Sequence, residues 1–315
     1  MGRRIVTLLL AVTIPVAMGG DKNSASEGES SRFLVSSEMV LVNASVVDAH
    51  GRPISGLRKE NFRLFENHAE KKISWFSEDQ APVSMMIVFD TSGSMEHKLR
   101  RCAEAAAELI RFSQQGDEYA LVTFANESRL VQTWTHDDSA ISAALLNARA
   151  HGTTAMIDAL RMAGRYANTG RNARKLVFVL SDGGDNSSRY TERQVRRQLQ
   201  EMDLEMYAID IRESGTVAQF EGVYEGPGLL DRLSEALSGR YLAVERMADL
   251  PDAVERIRNE IRSQYLLGYR PDSEERDTGR FHPLVVKVAP PPGVRRISVR
   301  WRRGWREPES RGSVE

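Results

Sequence analysis

A single cysteine, Cys102, in 315 residues excludes an intramolecular disulfide and any zinc site of the Cys-x-x-Cys kind. Cys102 shares an apolar stripe with Leu99, Ala106, Leu109 and Phe112, the setting of a small buried hydrophobe and not of a reactive thiol. Net charge is almost missing as well. The 43 Lys and Arg against 44 Asp and Glu leave −1, which gives no long-range field for a nucleic-acid partner. The chain has no Gly-x-x-x-x-Gly-Lys loop for nucleotide phosphates and no Gly-x-Ser-x-Gly nucleophile elbow. Beyond the first twenty or so positions it also lacks a long apolar run, so no stable membrane span is expected after that start is removed. At 41% hydrophobic and 28% charged residues it reads as globular, with room for one large and one small domain.

The first residues carry a targeting pattern. Arg3 and Arg4 precede the apolar run from Ile5 to Met18, which Pro15 interrupts, and Ala17 and Gly19 are small enough for a cleavage site. Residues 1–20 therefore read as a secretory signal peptide, and the protein as exported, periplasmic or secreted. The Ser/Glu-rich stretch 21–32 reads as a linker. Residues 33–82 form an N-terminal β segment, in which Val40, Val42, Ala44 and Val46 alternate onto one face and Asp48 to Gly51 signal a turn. Residues 265–306 return to that texture, with Leu284, Val286 and Val288 alternating, then Ile297, Val299 and Trp301 opposite Arg296, Arg300 and Arg302. Residues 307–315 are a tail. The two half-buried flanks are expected to pack together into one small β-sandwich, their arginine face solvated and protecting an edge strand.

Between them, 83–264 alternates continuous apolar strands with helical periodicity. Met85 to Asp90, Tyr119 to Ala125, Lys175 to Leu180 and Leu204 to Ile211 read as strands, the first and third buried on both faces. Helices are expected over 139–150, 155–167, 229–237 and 250–261. Thr191 with Gln194 forms a capping box for another. The fold class is α/β, a doubly wound, mostly parallel sheet covered on both sides.

Two of these strands end in carboxylates, Asp90 and Asp182, and such sheets bind ligands beyond the carboxyl ends of their strands. Asp90, Ser92 and Ser94 place oxygens in a turn eased by Gly93, a hard-donor set suited to magnesium. His97 and His151 flank the site without a second histidine at ligand spacing, so zinc is not expected.

The segment Asp90-Thr-Ser-Gly-Ser94 resembles the DxSxS motif of von Willebrand factor A domains. Gly152-Thr-Thr-Ala-Met-Ile-Asp-Ala159 is similar to that family's second-loop segment, with its threonine at Thr154, and Val177-Phe-Val-Leu-Ser-Asp-Gly183 to its strand ending at the second aspartate, Asp182. The resemblance covers about 83–264. It implies a Rossmann-like fold with the strands ending at Asp90 and Asp182 adjacent, and a metal ion-dependent adhesion site. Ser92 and Ser94 would bind the metal directly, Thr154 directly or through water, and Asp90 and Asp182 largely through water. The metal would be Mg2+, or Mn2+ or Ca2+, and a partner protein would complete its shell with an Asp or Glu carboxylate. The flanks are similar to the VWFA-related proteins abundant in Acidobacteria, through Val46 to Leu57, Asn61-Phe62, Phe65 to Asn67 and Gln264 to Pro271.

Each of these residues has a plainer role open to it. Thr154 could cap its helix, Ser92 or Ser94 could cap a helix starting near Glu96, and Asp182 could satisfy turn amides. Asp158 reads as helix chemistry, and Asp185 is expected to be exposed. A structural subunit of an envelope assembly, using other surfaces, is the second reading. A metal-dependent hydrolase is the remote one, because no general base stands apart from the carboxylates the metal would need, and the protein is expected not to be an enzyme.

Overall fold

The computed structural model describes residues 39–79, 82–172, 174–202, 204–212, 226–271 and 280–306. The expected signal peptide, linker and tail lie outside the described residues. Among those described, no helix is long and apolar enough to cross a membrane.

Strands β1 (Val40–Asp48), β2 (Phe62–Glu66), β3 (Ala69–Lys71) and β4 (Trp75–Asp79) come first. The alternating region then runs β5 (Val83–Asp90), α1 (Leu99–Ile110), β6 (Glu118–Phe124), β7 (Ser128–Thr135), α2 (Asp138–Leu146), α3 (Met156–Ala167), β8 (Arg174–Ser181) and α4 (Glu192–Glu201). It continues through β9 (Glu205–Ile211), α5 (Gly226–Ala236), β10 (Tyr241–Val244) and α6 (Leu250–Arg262). Strands β11 (Gln264–Tyr269), β12 (Phe281–Val288), β13 (Ile297–Trp301) and β14 (Gly304–Arg306) follow.

The central sheet has six strands in the order β10-β9-β8-β5-β6-β7, parallel except for β7. All eight residues of β5 are buried, as a strand with helices on both faces requires. One face packs Met85, Ile87 and Phe89 against Cys102 and Leu109 of α1, Ile141 of α2 and Ile257 of α6. The other packs Met86 and Val88 against Leu160 of α3, Leu199 of α4 and Leu233 of α5. Burial of each such side chain contributes ~1.5–3 kcal/mol, so the two faces dominate the stability of this layer. From β5 the chain winds one way through β6 and β7, then crosses to β8 and winds the other way. The switch point falls between β5 and β8, which pair directly. The capping box at α4 forms as expected, Thr191 Oγ1 accepting from Gln194 N–H and Gln194 Oε1 from Thr191 N–H. The helix expected over 139–150 stops at Leu146, and the chain from Asn147 to Ala155 becomes a loop at the carboxyl edge of the sheet.

The flanks build two antiparallel four-stranded sheets, β13-β1-β11-β4 and β14-β12-β2-β3. Each takes strands from both flanks, and the two share one core that includes Val42, Ala44, Leu64, Leu267, Leu284 and Val286. The arginine face of β13 is not simply solvated: Arg300 is half-buried, and its Nη1 lies 3.2 Å from Glu260 Oε1 of α6. β13 is an edge strand all the same.

The flanking sheets join the central layer at the amino ends of β8 and β9. There Arg174 donates to both carboxylate oxygens of Glu205, at 2.9 and 3.0 Å. Asn43 of β1 (3.0 Å) and Gln264 of β11 (2.9 Å) donate to the same carboxylate. Burial works against this ionised group, but the Arg174 charge and these hydrogen bonds prevail and hold the Glu205 carboxyl below its ordinary value. The carboxyl ends of the strands are left to the loops.

Candidate metal centre

Asp90, the last residue of β5, is fully buried. Its Oδ1 accepts the Ser92 N–H at 2.8 Å, which folds the next turn back over the strand end. Its Oδ2 accepts from the Ser181 hydroxyl at the end of neighbouring β8. Burial, reinforced by the charge of Asp182, pushes the Asp90 carboxyl up to about 6 against the pull of the Ser181 and Ser92 hydrogen bonds.

From Ser92 the oxygens run on as a chain. Ser92 Oγ lies 3.1 Å from Ser94 Oγ, and Ser94 Oγ donates to Asp182 Oδ1 at 3.0 Å across 88 residues of sequence. The other oxygen of Asp182 accepts from Lys98 Nζ at 2.8 Å, with both side chains under a tenth exposed. Ser92 stands at the start of a short 3-10 turn, Gly93–Met95, without capping it by its side chain, and α1 begins only at Leu99. Neither serine is therefore the cap of that helix.

Backbone bonds bring in the loop after α2. Gly93 N–H donates to Gly152 O at 3.0 Å and His151 N–H to Thr91 O at 2.8 Å. Gly152 has φ +71°, and a Cβ there would lie 2.2 Å from Asn126 Oδ1, so only glycine fits this approach. Thr154 is buried on this loop. Its N–H donates to Asn186 Oδ1 at 2.9 Å, and its carbonyl accepts from the N–H groups of Asn186 and Ser187. Thr154 does not cap α3: the N-cap position is Ala155, which makes no side-chain bond.

That cap comes from Asp185, which corrects the expectation that Asp185 is exposed. It is buried, and its Oδ2 accepts the Ile157 N–H at 2.8 Å and the Ser188 hydroxyl at 2.6 Å. A helix whose own N-cap is alanine leaves its first N–H groups to be met from elsewhere, and the loop after β8 supplies the acceptor. Asp158, read as helix chemistry, lies on the first turn of α3 but turns its carboxylate to the loop before α4, accepting from the N–H groups of Arg189 and Tyr190 and pairing with the Arg189 side chain. Lys98 escaped the sequence reading, and the capping role of Asp185 was missed. The signal available for Lys98 was a cation just ahead of a helix start, where local preference favours Ser, Thr, Asp or Asn.

The structure thus brings Asp90, Ser92, Ser94 and Asp182 into one hydrogen-bonded set and pins the Thr154 loop beside it. The donors are all oxygen, two carboxylates and hydroxyls, which is the chemistry of a hard divalent cation. Among the described residues no group of three or more His, Cys, Asp or Glu offers a rival site.

An α/β layer that switches direction between two strands ending in aspartate, with a DxSxS turn on the first, defines a class. Residues 85–184 match the von Willebrand factor type A domain family, and the central layer has that fold, extended here by the antiparallel sheets. Among solved structures, a von Willebrand factor type A protein of Catenulispora acidiphila aligns at 16% identity and a TM-score of 0.50, covering 80% of this chain and 74% of its own. Proximal thread matrix protein 1 of the mussel byssus, with zinc in its MIDAS motif, aligns at 17% identity and a TM-score of 0.50, covering 62% of this chain and 49% of its own. No curated protein matches.

Proposed function

We propose that this protein is an exported, non-enzymatic protein-binding module that holds one divalent cation and presents it to an acidic residue of a partner protein. Asp90, Ser92, Ser94, Thr154 and Asp182 would hold the ion, Mg2+ first, with Mn2+ or Ca2+ as alternatives. The observation that carries this reading is the hydrogen-bonded set in which Asp90 Oδ1 holds the Ser92 N–H and the Ser92 and Ser94 hydroxyls lead on to Asp182 Oδ1, at the carboxyl ends of two adjacent parallel strands. The mussel protein with metal at its MIDAS motif supports it by likeness of fold.

When bound, the ion supplies a fixed positive charge to which a partner's carboxylate can bind in a charge-assisted, directional way. The protein's own residues do the rest. Asp90 orients the Ser92 turn through its N–H, Ser181 fixes the Asp90 carboxylate, and the bonds of Gly93 and His151 set the Thr154 loop against that turn.

Calorimetric titration of Mg2+ and Mn2+ into the full chain tests the reading, beside Asp90→Asn and Ser94→Ala. One ion per chain is expected, with binding lost in Asp90→Asn and weakened in Ser94→Ala. A folded wild-type chain that takes up neither metal, even with millimolar acetate present, would overturn it.

A further inference from the structure

We infer that Lys98 is a counter-cation built into the site, and that it makes capture of a divalent metal depend on an anionic co-ligand. The inference rests on the metal reading above and adds to it what the bound metal requires.

Lys98 stands at the N-cap position of the twelve-residue helix α1 and makes no capping bond there. That end of a helix carries partial positive charge and repels a cation. Local preference and the helix field both argue against lysine at this position. Burial argues against it again, since an ammonium withdrawn from water costs several kcal/mol unless it is paired. One contact compensates, the 2.8 Å bond to Asp182 Oδ2. A residue placed against so many local preferences is explained by what it does to Asp182.

The effect follows from adding charges. Asp90 and Asp182 bring two negative charges to the site, and Lys98 removes one of them. Of the neighbouring buried carboxylates, Asp210 near the end of β9 is paired by Arg212 Nε at 2.8 Å, and Asp185 is taken up at the amino end of α3 by the Ile157 N–H and the Ser188 hydroxyl, outside the hydrogen-bonded set that holds Lys98. A divalent ion added to two carboxylates alone gives a neutral site. Added to the set that contains Lys98 it leaves one positive charge beside the buried Asp90 and Lys98 side chains. A carboxylate from outside brings the sum to zero. Metal and carboxylate should therefore bind as a pair, each raising the affinity of the other by the same factor, as linkage demands. A site built this way releases its metal readily when no acidic partner is present.

The test titrates Mn2+ into the full-length wild type, Lys98→Met, Lys98→Gln and Lys98→Arg, each with and without acetate as the carboxylate probe, after circular dichroism in EDTA has shown which variants fold. The two uncharged variants are expected to bind Mn2+ at least about tenfold more tightly than wild type without acetate, and to lose most of the acetate dependence. Lys98→Arg should keep the wild-type pattern. Wild type should show equal reciprocal enhancement of Mn2+ and acetate. Uncharged variants that bind one ion with wild-type affinity and wild-type acetate dependence would overturn the inference and leave the metal reading standing. No Mn2+ uptake by any folded form, with or without acetate, would overturn both.

Discussion

Replacing Asp185 by alanine should loosen the amino end of α3 and, through it, the loop that carries Thr154. The carboxylate accepts the Ile157 N–H at 2.8 Å and the Ser188 hydroxyl at 2.6 Å, and the helix has no cap of its own at Ala155. Loss of a capping acceptor costs ~1 kcal/mol. Loss of a negative charge at a helix amino end costs a further ~0.5 kcal/mol. Asp185→Ala should therefore destabilise the chain by ~1–2 kcal/mol, while Asp185→Asn, which keeps an acceptor and loses the charge, should cost only ~0.5 kcal/mol. Urea denaturation followed by circular dichroism reads the totals, and hydrogen exchange at the Ile157 amide locates them. The same loop holds Thr154 through Asn186 and Ser187, so Mn2+ affinity should fall several-fold in Asp185→Ala without any change in the metal-site oxygens. Unchanged stability and unchanged exchange at Ile157 would refute the assignment of Asp185 as the cap. Equal losses in the alanine and asparagine variants would refute the division between hydrogen bond and charge.

Two further outcomes follow from groups far from the candidate site. Arg174→Met strips Glu205 of its charge partner while Asn43 and Gln264 still hold it out of water, so a loss of ~3–5 kcal/mol is expected in urea denaturation, and a loss below 1 kcal/mol would show that Glu205 is protonated or hydrated there. The Arg52 N–H, opposed by burial and helped by the Arg52 side chain and the His50 N–H, lowers the Asp48 carboxyl from 3.8 to about 2. A depressed carboxyl contributes stability above its unfolded value and loses it as pH falls from about 4 through about 2, so an NMR titration of the Asp48 carboxyl should show a midpoint near 2, and a midpoint near 3.8 would mean that the turn after β1 does not hold it.

Much of the candidate site could be picked out from sequence because its parts are local. Asp90, Ser92 and Ser94 lie within five residues, at the end of a strand whose apolar run is unambiguous, and the same holds for Asp182 after β8. The sheet class was legible for the same reason: strands buried on both faces alternate with helical stripes. What escaped the reading is long-range. Lys98 meets Asp182 across 84 residues, and Asp185 meets Ile157 across 28. Taken alone, each looks like an ordinary charged residue in a loop or at a helix start, and nothing in its neighbours fixes the partner. Arg300 failed in the same way. Its place opposite Ile297 and Val299 suggested a solvated face, because the period of a strand tells which face a residue is on and not what lies beyond that face. The sandwich was legible as two matching half-buried patterns, but its register was not, since β1 pairs with β11 and β13, each more than 200 residues away.

These long-range contacts divide the work between the two ends of the central sheet. At the amino ends of β8 and β9, Glu205 collects hydrogen bonds from Asn43 of one flank, Gln264 of the other, and Arg174 and Tyr207 of the sheet itself. Glu260 of α6 is likewise held by Arg240 and Arg300. A buried carboxylate that needs all its partners to stay ionised cannot tolerate the flanks leaving one at a time, so the antiparallel sheets and the α/β layer are tied at that end. At the carboxyl ends the opposite holds. The loops there are braced by hydrogen bonds among themselves, through backbone amides and side chains alike, and Asp90, Asp182 and Lys98 together leave one negative charge over. A sheet fixed at one end and electrostatically incomplete at the other has the layout of a mount for a binding site. On the proposed reading, the flanks would contribute by anchoring the sheet from whose other end the candidate loops project.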